Sequence, residues 1–134
     1  MNEFVVNCDG GSRGNPGQAA CGYSIATPSG DEVEGHGERI GVATNNVAEY
    51  TAVLRALQRC AELGARRVHV RSDSEWLIRQ LTGEYKIKHA NLRPLAIRVH
   101  EAARAFEQVT YEHVRREQNV RADELVNLAL DGLL

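Results

Sequence analysis

Residues 45–73 read NNVAEYTAVLRALQRCAELGARRVHVRSD, and this stretch holds a helix that hands the chain to a strand. Tyr50, Val53, Leu54, Leu57, Cys60 and Ala61 recur at helical spacing, and Gly64 supplies the stop. Val68 and Val70 then alternate with charged neighbours, as in a strand, which runs through Ser72 and Asp73 into a second short helix, SEWLIRQL (74–81), ended by Thr82 and Gly83. Helix, strand and helix in close succession are the pattern of an α/β sheet.

Upstream, EFVVNC (3–8) puts Phe4, Val6 and Cys8 on one face and Val5, Asn7 and Asp9 on the other. ACGYSIAT (20–27) and EVEGHGERI (32–40) flank the turn PSGD, which makes the opening a three-stranded antiparallel meander. Downstream, Leu92, Leu95, Ala96, Val99, Ala103 and Phe106 form an apolar stripe that tolerates Pro94 in its first turn. VTYEHV (109–114) reads as a last strand and NVRADELVNLALDGLL (119–134) as a last helix. The expected order is βββ-α-β-α-α-β-α. A right-handed crossover through the Asn45 helix sets the VHVRS strand parallel to the first. Asp9 and Asp73 then end neighbouring strands at one rim, where open α/β sheets bind their ligands.

Composition bounds the rest. The chain has 134 residues, 43% of them hydrophobic, which suits one domain spanning residues 1–134. With a net charge of -2, contact with nucleic acid must come from local patches. Cys8, Cys21 and Cys60 lack C-x-x-C spacing and read as buried thiols in a reducing compartment, so a cytoplasmic location is expected. No run approaches the roughly 18 apolar residues of a membrane span, so a membrane partner is not expected.

The stretch CDGGSRGNPG (8–17) allows three readings: a phosphate-cradling glycine loop, a hairpin turn opening on an aspartate, or the first piece of a metal site. Three further acids bear on the choice. Glu49 falls in the first turn of its helix, Asp73 ends its strand, and Asp123 falls in the first turn of the last helix. Singly, each has a bland reading. Asn46 to Glu49 and Ser72 to Glu75 fit capping boxes, Asp123 suits a helix dipole, and Asp9 suits a turn. Capping does not explain four carboxylates aimed at one rim, which repel one another unless cations neutralise them. All-oxygen donors favour a hard cation such as Mg²⁺. Two such ions about 4 Å apart suit an in-line phosphoryl displacement, so the predicted chemistry is phosphodiester cleavage.

CDGGSRGNPG, ATNNVAEY (43–50), SDSEWLIRQL (72–81) and HVRREQNVRADELVN (113–127), in this order, resemble type 1 ribonuclease H, in the short form that lacks a basic protrusion. The resemblance covers nearly the whole chain. It implies the ribonuclease H-like fold, a five-stranded mixed sheet of order 3-2-1-4-5 with helices on both faces. It also implies metal-dependent hydrolysis of the RNA strand of RNA/DNA hybrids to 3′-hydroxyl and 5′-phosphate ends, and leaves double-stranded RNA open as a second substrate. Its carboxylates fall on Asp9, Glu49, Asp73 and Asp123, holding two Mg²⁺ with Mn²⁺ able to substitute, in a protein expected to act as a monomer.

The same resemblance assigns substrate contacts. Asn15, Asn45 and Asn46 match positions that meet the hybrid, and Thr44 one that holds a DNA-strand phosphate. A carboxamide that donates and accepts can read a 2′-hydroxyl. Gly10, Gly11, Ser12, Arg13 and Gly14 follow the minor groove by close approach, and Ser74 and Glu75 meet the RNA strand. Tyr85, Lys86 and Lys88, with His89 and Arg93, form a small basic patch where longer members carry their protrusion. His113 stands where many relatives have a proton-shuttling histidine, although YEHV also reads as strand, and Glu117 competes for that role. Val42 replaces a basic residue of the DNA-phosphate pocket, and Arg115, Arg116 and Arg121 are candidates to compensate. Of the rival functions, a two-lobed kinase of the actin-like class needs twice the length. A non-catalytic hybrid-binding module is opposed by the persistence of all four acids. A related-fold nuclease would differ in substrate and in the asparagine loop.

Overall fold

A computed structural model describes residues 2–134. It contains strands β1 (Glu3–Arg13), β2 (Gly17–Ala26) and β3 (Glu32–Ala43), helix α1 (Asn45–Glu62), strand β4 (Arg67–Ser72), helices α2 (Glu75–Leu81) and α3 (Arg93–Ala103), strand β5 (Gln108–His113) and helix α4 (Val120–Leu130). A single 3-10 turn over Arg116–Gln118 precedes α4. The strand order is β3-β2-β1-β4-β5, as expected. β1, β2 and β3 pair antiparallel, while β1 with β4 and β4 with β5 pair parallel, with Cys8 opposite Ser72 and Ser72 opposite His113.

The main core lies between one face of the sheet and α1, α2 and α3. Phe4, Val6 and Cys8 of β1 pack there with Tyr50, Val53, Leu54, Leu57 and Cys60 of α1 and Val99 of α3. The three cysteines are buried free thiols. On the opposite face α4 seats Val126 and Ala129 over Ala20, a much smaller cluster. Among the described residues, no helix is long and apolar enough to cross a membrane.

Three expectations are corrected. The glycine stretch is not a loop: β1 continues through Asp9 to Arg13, with Asp9 paired to Gly22, so Asp9 is a strand residue rather than a turn aspartate. The reason is packing. A Cβ on Gly10 would overlap the Ala48 backbone, and one on Gly22 would lie 2.9 Å from the Ala122 carbonyl oxygen, so both helices descend onto the sheet only over glycine. The caps are also displaced. Thr44, not Asn46, caps α1 by accepting from the Val47 N–H at 3.2 Å. Ser74, not Ser72, caps α2 by accepting from the Leu77 N–H at 3.2 Å. In both segments the hydroxyl three residues before an available N–H captures it, which leaves Glu49 and Asp73 unoccupied by capping.

Candidate active site

Asp9 lies in β1 beside its parallel neighbour β4, and Asp73 follows the last residue of β4. Glu49 lies past the first turn of α1 rather than in it as expected, because Thr44 rather than Asn46 caps the helix and α1 begins at Asn45; it is held over β1 by the close approach at Gly10. Asp123 sits in the first turn of α4. All four line one open cleft of about 410 Å³, together with Gly10, Gly11, Ser12, Arg13, Asn45 and Ser74 from the sequence-derived set. Asp9, Glu49 and Asp73 are half-buried, and Asp123 is exposed at the rim.

The electrostatics match four acids forced together. Burial, then the Asp73 and Asp123 carboxylates, push Asp9 up to about 8. Burial pushes Glu49 up to about 7, opposed by a hydrogen bond from Ser74 and reinforced by Asp73. The ionised cluster is therefore costly without a counter-ion. Arg116 is the nearest cation, 3.6 Å from Asp73 Oδ2, but its side chain is 89% exposed and contributes little. Among the described residues, no three acidic, histidine or cysteine side chains close on a common point as a ready-made metal cage. Four carboxylates on an open cleft are still an oxygen donor set that fits a hard divalent cation, of the kind that keeps water and substrate oxygens beside one or two carboxylates.

The asparagines are oriented by the backbone. Asn45 Oδ1 accepts from the Ser12 N–H at 2.8 Å, and Asn15 Oδ1 accepts from the Asn45 N–H at 3.0 Å. Because a backbone N–H can only donate, each carboxamide oxygen is fixed inward. The amide nitrogens are what remain for a partner. The sequence reading of groups that both donate and accept is thus narrowed to donors.

The other expected contacts divide. Asn15, Thr44 and Asn46 line a small cleft of about 120 Å³ with His89. Tyr85, Lys86 and Lys88 line a groove of about 410 Å³ that also includes His89. Trp76, which the sequence reading passed over, is part of that groove and packs edge-on against Tyr50. Its signal was present: a lone tryptophan at the solvent edge of α2. Glu75 is paired with Arg79 at 3.0 Å, Arg13 with Asp131 at 2.7 Å, and Arg121 with Glu32 at 2.9 Å, so each has an internal partner. Val42 is 69% exposed. His113 is the exposed last residue of β5 and is not part of the acidic cleft, and Glu117 lies in the 3-10 turn.

Asn119 and Asn7 were also missed. Asn119 is 1% exposed and donates to Asp73 Oδ1 at 3.0 Å and to the Cys8 carbonyl at 2.9 Å, while accepting from Asn7 Nδ2 at 3.0 Å. In the sequence it reads only as a helix-starting asparagine.

A family described as reverse transcriptase-like matches residues 7–129. Ribonuclease HI of Halobacterium salinarum is 42% identical over 92% of this chain and 62% of its own length. A bifunctional protein of Mycobacterium tuberculosis is 40% identical over 97% of this chain, which spans only 36% of that protein. Among solved structures, RNase H1 from H. salinarum superposes with a TM-score of 0.95 at 40% identity, over 98% of this chain and 99% of that one. LC11-RNase H1, solved in complex with an RNA/DNA hybrid, gives a TM-score of 0.92 at 38% identity, over 96% of this chain and 97% of that one. The shared fold and the matched span both take in the elements that carry Asp9, Glu49, Asp73 and Asp123, and the chain belongs to the type 1 ribonuclease H family.

Proposed function

We propose that the chain cleaves the RNA strand of RNA/DNA hybrids, leaving 3′-hydroxyl and 5′-phosphate ends. The observation that carries this is the convergence of four carboxylates on one cleft, with Asp9 and Glu49 destabilised as anions first by burial and then by the neighbouring acids, Asp73 beside both and Asp123 beside Asp9. Asp9, Glu49, Asp73 and Asp123 would hold two divalent ions, Mg²⁺ with Mn²⁺ able to substitute. When bound, these would activate a water and neutralise charge on the scissile phosphate.

The residues around the cleft supply recognition. The inward-fixed oxygens of Asn15 and Asn45 leave amide donors for the acceptors of a minor groove, the 2′-oxygen and the base N3 and O2 atoms. Beyond His89, the groove of Trp76, Tyr85, Lys86 and Lys88 offers aromatic faces and cations to the sugar-phosphate chain of the second strand. The relative solved with a hybrid supports this substrate class.

The test sets end-labelled RNA/DNA hybrid, duplex DNA and duplex RNA side by side, with Mg²⁺, Mn²⁺ or EDTA. Nicks in the RNA strand of the hybrid that vanish with EDTA are expected. Cutting that persists in EDTA, or an intact hybrid with both metals, would sink the reading. The duplex-RNA lane decides the second substrate.

A further inference from the structure

We propose that Asn119 is a positioning residue of this site, one that fixes Asp73 against the strand carrying Asp9 and starts the helix carrying Asp123. The role rests on the function proposed above, since it concerns the same four acids.

An asparagine at a helix start ordinarily caps the helix with its side-chain oxygen. Asn119 occupies that place before α4 but makes no side-chain cap. Its carboxamide is turned away from the helix and buried, with 1% exposure. One amide nitrogen donates both to the Cys8 carbonyl at 2.9 Å and to Asp73 Oδ1 at 3.0 Å. Cys8 immediately precedes Asp9, and a carbonyl can only accept, so the orientation of the amide is not open to reversal. The oxygen accepts from Asn7 Nδ2 at 3.0 Å, and that same nitrogen also donates to the Gln118 carbonyl at 3.1 Å. The Asn119 backbone carbonyl accepts from the Asp123 N–H at 3.2 Å. Three of the four acids are thereby referred to one residue.

The chemistry explains why this residue type serves. A buried carboxamide must satisfy its donors and its acceptor, and a network satisfied at both ends is rigid. A neutral donor orients the Asp73 carboxylate while leaving its charge for a cation, whereas a buried lysine or arginine would act as a competing counter-ion. A ligating carboxylate held by hydrogen bonds in this way is the usual device for fixing ligand geometry, and its loss typically costs about 10- to 100-fold in metal affinity or activity.

The experiment compares wild type, Asn119→Ala and Asn7→Ala by steady-state cleavage of a labelled hybrid, by calorimetric titration with Mg²⁺ alone, and by thermal melting. Asn119→Ala is expected to lower kcat by about 30- to 100-fold with KM within about three-fold, and to weaken Mg²⁺ binding by about 10-fold. Asn7→Ala removes only the support of the amide oxygen and should give a smaller loss of the same kind, about three- to ten-fold in kcat. Should Asn119→Ala not fold, the Asn7→Ala result decides. A folded Asn119→Ala with kcat and Mg²⁺ affinity within about two-fold of wild type would overturn the role. So would unchanged values in Asn7→Ala where it alone folds. A wild type that binds Mg²⁺ but leaves the hybrid intact would refute the proposed substrate, and the Mg²⁺ titration of the variants would still decide the role of Asn119. A wild type that does neither overturns both.

Discussion

Ser12 donates its backbone N–H to Asn45 Oδ1 at 2.8 Å, which ties the end of β1 to the first residue of α1 across 33 positions. The bond settles which end of the Asn45 amide faces the cleft. Asn45→Asp keeps an acceptor for Ser12 and deletes the outward donor, so substrate binding should suffer more than folding. One hydrogen bond is worth about 1 kcal/mol, and with added repulsion from a new carboxylate we expect KM for the hybrid to rise about 10-fold. The melting temperature should stay within about 2 °C of wild type. Michaelis analysis and a thermal melt check this together, and an unchanged KM would remove Asn45 from substrate contact.

Asp73 is contacted by Asn119 at one carboxyl oxygen and approached by Arg116 at the other, and its charge stands against Asp9 and Glu49. Asp73→Asn preserves shape and can still accept from Asn119, but removes one of the four negative charges proposed to hold the divalent ions. Cleavage should fall by about 10³-fold or more while the far-ultraviolet circular dichroism spectrum is unchanged. The readout is the labelled-hybrid gel, and near-native turnover by the variant would contradict the role given to the acids.

The α/β order and the rim of acids were legible because they rest on local signals with a handedness rule added. The periodic run Asn45–Glu62 announces α1, Val68 and Val70 announce β4, and a right-handed crossover brings Asp73 beside Asp9. What escaped depends on partners far away in the chain. Gly10 and Gly11 read as a loop because glycine pairs usually punctuate turns. Pairing of Gly10 with Cys21 and of Gly11 with Ala20 makes the pair strand, and α1 resting over Gly10 accounts for the glycine there. The caps slipped by two residues because several hydroxyl and amide side chains compete for the same first-turn N–H groups. Asn119 escaped altogether, since its partners Asn7 and Cys8 lie more than a hundred positions upstream.

Gly10→Ala tests the packing explanation for the glycine stretch. Its methyl group would meet the Ala48 backbone, which cannot yield as a flexible side chain would. Overpacking of this kind typically costs about 1–3 kcal/mol, and the helix turn bearing Glu49 must shift to relieve it. We expect a melting temperature lowered by at least about 4 °C and a loss of activity larger than the unfolded fraction explains. Gly30, whose added Cβ would meet nothing within 4 Å but whose φ is +100°, is the comparison. Gly30→Ala should cost stability through backbone strain alone and leave kcat intact. Equal activity losses in the two variants would argue against a steric link between Gly10 and Glu49.

The acid cluster also predicts how stability responds to pH when divalent ions are chelated. In the folded protein Asp9 is held up at about 8 and Glu49 at about 7, first by burial in both cases. In the unfolded chain both titrate near about 4. Between those limits the folded state binds more protons than the unfolded state, so the free energy of unfolding falls as pH rises from about 4 to about 8. In EDTA the melting temperature should therefore decline across this window, beyond the change given by the rest of the chain. Asp9→Asn removes the largest contributor and should flatten the decline, which makes the variant more stable than wild type at pH 8, by about 3 °C or more. Adding Mg²⁺ should reverse that ranking, because a cation that binds the ionised cluster stabilises wild type by mass action and has a weaker site in the variant. Melting curves at pH 5 and pH 8, with EDTA or with excess Mg²⁺, read out all four combinations. A wild-type protein that is more stable than Asp9→Asn at pH 8 in EDTA would mean that burial and the neighbouring acids do not destabilise the Asp9 carboxylate as its placement requires.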